Sequence, residues 1–438
     1  MPGTDGRADA APWIVLALLL AALAVAVVLT TPWDALQGAP VQPAEPDRDF
    51  APAEQAESDA YQSAIRPPVY LGLAVGLAVP LVLGFTPLGA GLVTAAARPL
   101  GGGWVWQVLV GGLAVLSAVR LATLAFSAWA ESVRRDYGLS TRSWGGWAAD
   151  LAKGFGLQVA GTLLAVLLLV ALARVLPRWW WVAGSVAAAA LVVALSFVYP
   201  LVVEPVFNRF SPLGDGELRT SLLQMAEDDG VPVEDVLVAD ASRRTSTLNA
   251  YVSGFGATRR IVVYDTLLDQ APAEQVRTVV AHELGHAAEH DVRNGTMLGA
   301  LLAAAGVCAL GGLLGWSWLY ARAGVDGAHD PRVLVAVLAI VGLLGFLTAP
   351  MQGLVSRRIE TRADVHSLDL TGDPTTFTEM QRSLALASHA DLDPPMLTYV
   401  LFASHPTAPE RIALARSWAD VNDAPEPPDL APVGESGR

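Results

Sequence analysis

Residues 276–293 read VRTVVAHELGHAAEHDVR. Within this stretch His282 and His286 stand four apart, with Glu283 next to the first. On a helix, positions four apart differ by about 40° around the axis, so both imidazoles leave one face and can share a metal ion. Glu283, one position on, can reach a water at the metal's open position. Zinc brings such a water toward a pKa of about 7, and a neighbouring carboxylate can take its proton as the oxygen attacks a peptide carbonyl. With only 7 histidines in 438 residues, a chance His-Glu-x-x-His somewhere in the chain has an expectation below about 1 in 100. The pattern predicts a helix over 273–293 carrying a metallopeptidase centre.

Outward from this helix the chain becomes apolar. Of the whole sequence 53% is hydrophobic and only 16% charged, with a mean hydropathy of +0.44. Ordinary globular domains carry roughly 25% charge. Apolar windows of bilayer length occur at about 13–32, 69–97, 104–130, 155–176, 179–203, 294–320 and 333–355, which predicts seven spans, the first retained and not cleaved. The fold class expected is mainly α: a polytopic seven-helix transmembrane bundle with a zinc metallopeptidase catalytic region containing a small β-hairpin or sheet. The net charge of −14 excludes a nucleic-acid partner that would need a basic face. A single cysteine, Cys308, excludes intramolecular disulfides and Cys-based metal clusters.

Two inter-span segments are polar enough to fold in water. The expected organisation is an N-terminal bundle over 1–203 of about five spans with an acidic, unstructured loop at about 31–68, then a catalytic segment over 204–293. Two further spans fill 294–355, a second catalytic segment fills 356–418, and a disordered tail follows, with low complexity from Ala424. In the first catalytic segment the pattern predicts a helix over 217–228, a short strand at Val236 to Val238, and a β stretch over 251–264 interrupted around Gly254-Phe255-Gly256.

A catalytic zinc takes three protein ligands and one open position. His290, two turns along the predicted helix, would lie roughly 12 Å from His282 and reads as a surface residue. The metzincin extension is excluded because Glu289 and Val292 hold the places of its Gly and His. The chain crosses the membrane twice after Arg293 and returns at Ser356-Arg357-Arg358-Ile359-Glu360-Thr361-Arg362-Ala363-Asp364. Glu360 and Asp364 share a helical face, so one can bind metal while the other holds the free N–H of a ligand histidine. Spacing alone does not say which.

Orientation follows the Lys/Arg bias. One side collects Arg134, Arg135, Arg142, Lys153, Arg209, Arg219, Arg277, Arg293, Arg357, Arg358 and Arg362. The other collects Arg7, Arg98, Arg174, Arg178, Arg322 and Arg332. Both polar segments lie on the richer side, which places them in the cytoplasm, and the protein in the plasma membrane.

Further motifs occur in order: Phe207-Asn208-Arg209-Phe210-Ser211-Pro212-Leu213, Asn249-Ala250-Tyr251, Arg260-Ile261-Val262-Val263-Tyr264-Asp265-Thr266-Leu267, and His405-Pro406 followed by Arg411. With the two helical motifs they cover about 204–415 and resemble the seven-span membrane zinc metallopeptidases of the CaaX prenyl protease group, peptidase family M48. The resemblance implies one Zn2+ per chain with Glu360 as third ligand, which makes the catalytic region gluzincin-like, and Asp364 as its neighbour. It implies that Asn249, Ala250 and Tyr251 hold substrate backbone by strand addition, and that His405 and Arg411 help stabilise the tetrahedral oxyanion. The acidic loop and plain C-terminal stretch depart from eukaryotic members and, with Arg far above Lys, look bacterial. The partners expected are the bilayer and a peptide or protein substrate, either a prenylated protein or a membrane-protein quality-control client. A transporter or receptor, signalled by Arg120 inside the third span, and a catalytically inactive substrate-binding relative are the readings of other classes.

Overall fold

The computed structural model describes residues 10–36, 38, 42–254, 256 and 259–431. Among these, seven helices are long and apolar enough to cross a membrane: Ala11–Thr30, Pro52–Gly84, Trp104–Asp136, Trp144–Val175, Trp180–Phe207, Asp291–Leu313 and Pro331–Thr371. Each overlaps one predicted run, and the protein is a multi-pass membrane protein.

The second span departs most from its predicted 69–97. It ends at Gly84, and 87–97 forms a separate short helix. Thr86 is extended (φ −137°, ψ 161°) because the residue before a proline, here Pro87, is driven out of the helical region. At its other end the span begins 17 residues early, at Pro52. Proline suits the first helical position, and the Glu54 carboxylate accepts from the Ala51 N–H at 2.8 Å. Its inward face carries Ser58, Tyr61 and Ile65, a mixture without apolar period. That face is held by distant partners: Gln62 Nε2 donates to the His389 carbonyl at 2.8 Å, and Tyr61 meets Tyr137 edge-on at 5.2 Å.

The acidic loop is therefore ordered over its described part, correcting the expectation of an unstructured 31–68. Asp49 and Arg416, 1% and 2% exposed, form a bidentate pair at 2.8 and 2.6 Å. Beside it Arg48 Nε donates to Asp429 at 2.8 Å, and the Ala431 N–H donates to the Arg48 carbonyl at 2.9 Å. The segment after Ala424 is thus pinned as far as Ala431, and residues 432–438 lie outside the described ones. Low complexity hid this order because it comes from ion pairs across more than 360 residues, not from local propensity.

The two catalytic segments build one body. Its sheet has the order β1-β2-β4-β3, with β1 (Phe210–Pro212) antiparallel to β2 (Asp235–Ala239), β2 parallel to β4 (Arg260–Tyr264), and β3 (Ala250–Ser253) antiparallel to β4. The predicted helix over 217–228 and the interrupted hairpin are present as expected. Leu222, Val236, Ile261, Val280 and Leu284 from the first segment pack with Leu368, Phe377 and Trp418 from the second in one buried core. Helix Leu334–Thr371 runs unbroken from the membrane into the Glu360 motif, so the boundary expected at 355/356 falls inside a single element.

Removing one member of a buried ion pair leaves the other uncompensated, at about 3–5 kcal/mol, whereas an apolar pair of similar volume is close to neutral. Arg416→Ala is expected to lower the thermal midpoint of the purified protein sharply, and Asp49→Leu with Arg416→Met to restore most of it. A midpoint unmoved by Arg416→Ala would remove this clasp from the fold.

Candidate metal centre

Helix Ala273–Ala288 presents His282, Glu283 and His286, and the long helix Leu334–Thr371 presents Glu360 and Asp364. The two helices meet at Gly285, where an added Cβ would sit 3.0–3.1 Å from three atoms of His366. The glycine lets the helix backbones approach until the ligand atoms converge. Nε2 of His282 lies 3.2 Å from Nε2 of His286, while Glu360 sets Oε2 3.3 Å from the first and Oε1 3.6 Å from the second. One ligand atom from each residue can be chosen so that all lie within 4.8 Å of one another.

The other imidazole nitrogens are held by carboxylates. His282 Nδ1 is 2.9 Å from Asp364 Oδ1, and His286 Nδ1 is 2.9 Å from Asp291 Oδ2. A carboxylate on Nδ1 fixes the proton there and turns the Nε2 lone pair inward. Two lone pairs and a carboxylate then face one point, and Glu360 Oε2 is buried without a hydrogen-bond donor. A cation resolves this arrangement. Tetrahedral zinc with bonds of 2.0–2.1 Å separates its ligand atoms by roughly 3.3–3.4 Å, close to the spacings observed, so the donor set fits.

The titration of His282 carries the same message. Burial pulls its pKa down, but the facing Asp364 and Glu360 carboxylates outweigh burial and lift it to about 9. The pocket draws in a proton where no metal competes. Burial pushes the Glu283 carboxyl up despite the two neighbouring histidines. His405 is pulled down, mainly by desolvation, although its side chain is 59% exposed.

Spacing left the roles of Glu360 and Asp364 open. Here Glu360 faces the Nε2 atoms, and Asp364, fully buried, faces only Nδ1 of His282. His405 Nε2 is 3.4 Å from Glu360 Oε1, and its Nδ1 meets Ser404 Oγ at 2.9 Å. Arg411 lies behind His282: it grips Asp364 with Nε at 2.8 Å and with Nη2, which is also 3.3 Å from His282 Nδ1. Asn249, Ala250 and Tyr251 lie at and beside the start of β3, whose second edge pairs with no strand among the described residues.

Asp291 is the residue that sequence reasoning missed. The helix predicted over 273–293 stops at Ala288, His290 turns left-handed (φ 58°), and a new helix starts at Asp291. This turn swings Asp291 back onto His286, and Arg362 clamps it from the long helix. His290 is exposed, as expected, but lies beyond the helix end. An acidic residue opening the next helix was the available signal, since the first turn favours negative charge.

Glu283 and His286 also line a cavity of about 1020 Å³ that descends between the first, fifth and sixth spans past Val15, Val186, Val193 and Leu301. A metal-ligand set with an open side on an apolar cavity inside a helical bundle defines a membrane-embedded metallopeptidase. The comparisons narrow the class. Residues 212–419 match the model of peptidase family M48, and 69–209 match that described as CAAX prenyl protease N-terminal, five membrane helices. The uncharacterized metalloprotease YhfN of Bacillus subtilis is 30% identical over 323 residues, covering 73% of this chain and 75% of that protein. CAAX prenyl protease 1 of Saccharomyces cerevisiae is 32% identical over 150 residues, 34% of this chain and 33% of that protein. The crystal structure of S. mikatae Ste24p has the same fold, with a TM-score of 0.76 at 22% identity, covering 94% of this chain and all of that one. The chain belongs to peptidase family M48 and is a membrane-embedded, zinc-dependent endopeptidase.

Metal must displace the His282 proton, so binding below pH 9 is expected to release about one proton, and affinity to rise about tenfold per pH unit until His282 is neutral. Asp291→Asn, which weakens the hold on His286, is expected to lower zinc affinity 10–100-fold. Calorimetry of zinc binding in buffers of different ionisation enthalpy, with chelator competition, measures both. Affinity unchanged in Asp291→Asn would remove that residue from the centre.

Proposed function

We propose that one Zn2+ per chain is held by His282, His286 and Glu360, with Asp364 and Asp291 fixing the two imidazoles. The supporting observation is the convergence of both Nε2 atoms and an orphaned carboxylate oxygen on one point. When bound, zinc supplies a Lewis acid that polarises the scissile carbonyl and a water. Glu283 serves as the general base: its carboxyl borders the cavity, and burial raises its proton affinity toward the working pH. The same proton can then pass to the departing amine.

His405 can donate one hydrogen bond to the oxyanion, and its lowered pKa favours the neutral form, which adds no charge beside the metal. Arg411 is engaged by Asp364 on the far side of His282. Its support for the oxyanion is therefore indirect, through the rigid Asp364–His282 pair. Substrate backbone lies along the free edge of β3, from Asn249 to Tyr251, where main-chain groups read an extended peptide with little regard to sequence. Val252 and Gly254 continue that edge into the apolar cavity.

The substrates proposed are protein tails or unfolded segments presented at the membrane. The yeast relative is named for CAAX prenyl proteins, and the apolar cavity is compatible with a lipidated tail. Quality-control cleavage of membrane proteins uses the same chemistry and the same tolerance of sequence. Glu283→Gln is expected to keep its zinc while losing at least about 100-fold in turnover, and Asn249→Ala to weaken cleavage of many substrates by a similar factor. Zinc content alongside cleavage of casein and a membrane-anchored peptide measures this, and turnover retained by metal-loaded Glu283→Gln would reject the assignment.

The catalytic body is proposed to lie on the cytoplasmic side of the plasma membrane, from the bias in Lys and Arg. The bridge between Ser140 and Thr245 ties the Arg134–Arg142 end of the spans to the catalytic body, and Arg174 bonds to the His329 carbonyl at the other end. In a Cys308→Ala background, cysteines placed at exposed Asp228 and Asp420 should resist an impermeant thiol reagent added to intact cells and react after lysis. Labelling from outside would reverse the orientation.

A further inference from the structure

Arg120 has no part in the chemistry above. It lies in the third span, 16 residues before the end at Asp136, about 24 Å along the axis at 1.5 Å per residue. An arginine at such depth is costly unless it faces a partner or a polar cavity. Among the described residues its guanidinium has no hydrogen-bond or ion-pair partner, and its Nε is buried. It borders a cleft of about 520 Å³ between the third and fourth spans, on the side of the catalytic body.

Three more arginines border the same cleft. Arg134 lies on the same helix face as Arg120, 14 residues on and about 40° around the axis. Arg142 is neutralised by Glu131 at 2.9 Å and Asp150 at 3.5 Å. Arg244 bonds only neutral acceptors, the Phe207 carbonyl at 2.6 Å and the Asn208 side chain. Among the described residues, Arg120, Arg134 and Arg244 have no carboxylate at ion-pair distance, so the cleft is cationic. From the opposite wall the fourth span adds Gln158, a polar side chain inside an apolar helix. Trp129 and Trp144, 45% and 49% exposed, mark the level of the membrane interface beside it.

We propose that this cleft binds the phosphate headgroup of an anionic phospholipid from the leaflet on the catalytic side. Several uncompensated guanidinium forks suit the oxygens of a phosphate. A basic pocket between spans at the interface is where a lipid headgroup arrives without leaving its leaflet. Arg120 snorkels toward the phosphate from below, and Arg134 and Arg244 meet it from above.

Gly154 gives a clean way to close the cleft: it lies on the lining, and a Cβ added there meets no atom within 4 Å. The full-length protein is reconstituted in nanodiscs of mixed phosphatidylglycerol and phosphatidylcholine, then released for native mass spectrometry. Phosphatidylglycerol is expected to be retained preferentially, and retention to fall about fivefold or more in Arg120→Gln and in Gly154→Leu, with zinc content unchanged as the folding control. Equal retention of the two lipids, or retention unaffected in Gly154→Leu, would overturn the proposal. So would displacement of the lipid by millimolar inorganic phosphate, which would make free phosphate the ligand. Displacement by a peptide with a free C-terminal carboxylate but not by its amide would overturn it in favour of a subsite for substrate tails.

Discussion

Two imidazole nitrogens held 3.2 Å apart with their lone pairs turned toward each other, and a carboxylate closing the third side, cannot be the resting arrangement of an uncharged pocket. That constraint governs the rest of the catalytic body. Each histidine is turned inward by a carboxylate, and each carboxylate is gripped by an arginine: Asp364 by Arg411 on the first, Asp291 by Arg362 on the second. The two relays are alike in chemistry but use unrelated parts of the chain. Their arginines spread the negative charge, so a divalent cation would find the supporting carboxylates Asp364 and Asp291 already held in place.

The membrane helices contribute by fixing where those parts begin. Asp291 opens the sixth span, and Glu360, Arg362 and Asp364 continue the helix of the seventh. The proposed ligand Glu360 and the supporting Asp364 and Asp291 are thus cantilevered from two spans, while His282 and His286 come from the sheet-bearing segment between the fifth and sixth. A shift of the seventh span relative to helix Ala273–Ala288 would move Glu360 and Asp364 against His282 and His286. The close crossing at Gly285 limits that shift, because the glycine packs directly against the His366 side chain with no room for a Cβ.

What could be read from the sequence divides along physical lines. The His282 motif, the four-residue spacing of Glu360 and Asp364, and the seven apolar runs each depend on a local period, and all are found as helices in the structure. The roles within the Glu360/Asp364 pair were open because spacing puts both on one face, and only the facing helix separates them. The order in 42–68 and 424–431 escaped because its partners are hundreds of residues away: Asp49 on Arg416, Arg48 on Asp429. Asp291 escaped for a subtler reason. The amphipathic pattern of the zinc helix runs without interruption into the sixth span, and His290, a residue that rarely takes a left-handed conformation, gives no glycine-like sign that the helix turns there.

On the proposed reading, with substrate backbone along β3, the placement of the centre would let a peptidase with weak sequence preference still be selective. An edge strand reads backbone, and backbone is the same in every protein, so discrimination at β3 is small. The cavity below Glu283 and His286 is bounded by the first, fifth and sixth spans and lined mainly by aliphatic side chains. A folded domain cannot present an extended strand at β3 while also occupying that space, whereas a flexible or lipid-bearing tail can do both. Selectivity would then reside in unfoldedness and apolarity, two properties that the spans would test by shape and solvation. A soluble body with the same residues would lack that apolar space, so on this reading the bundle has a chemical role beyond anchoring.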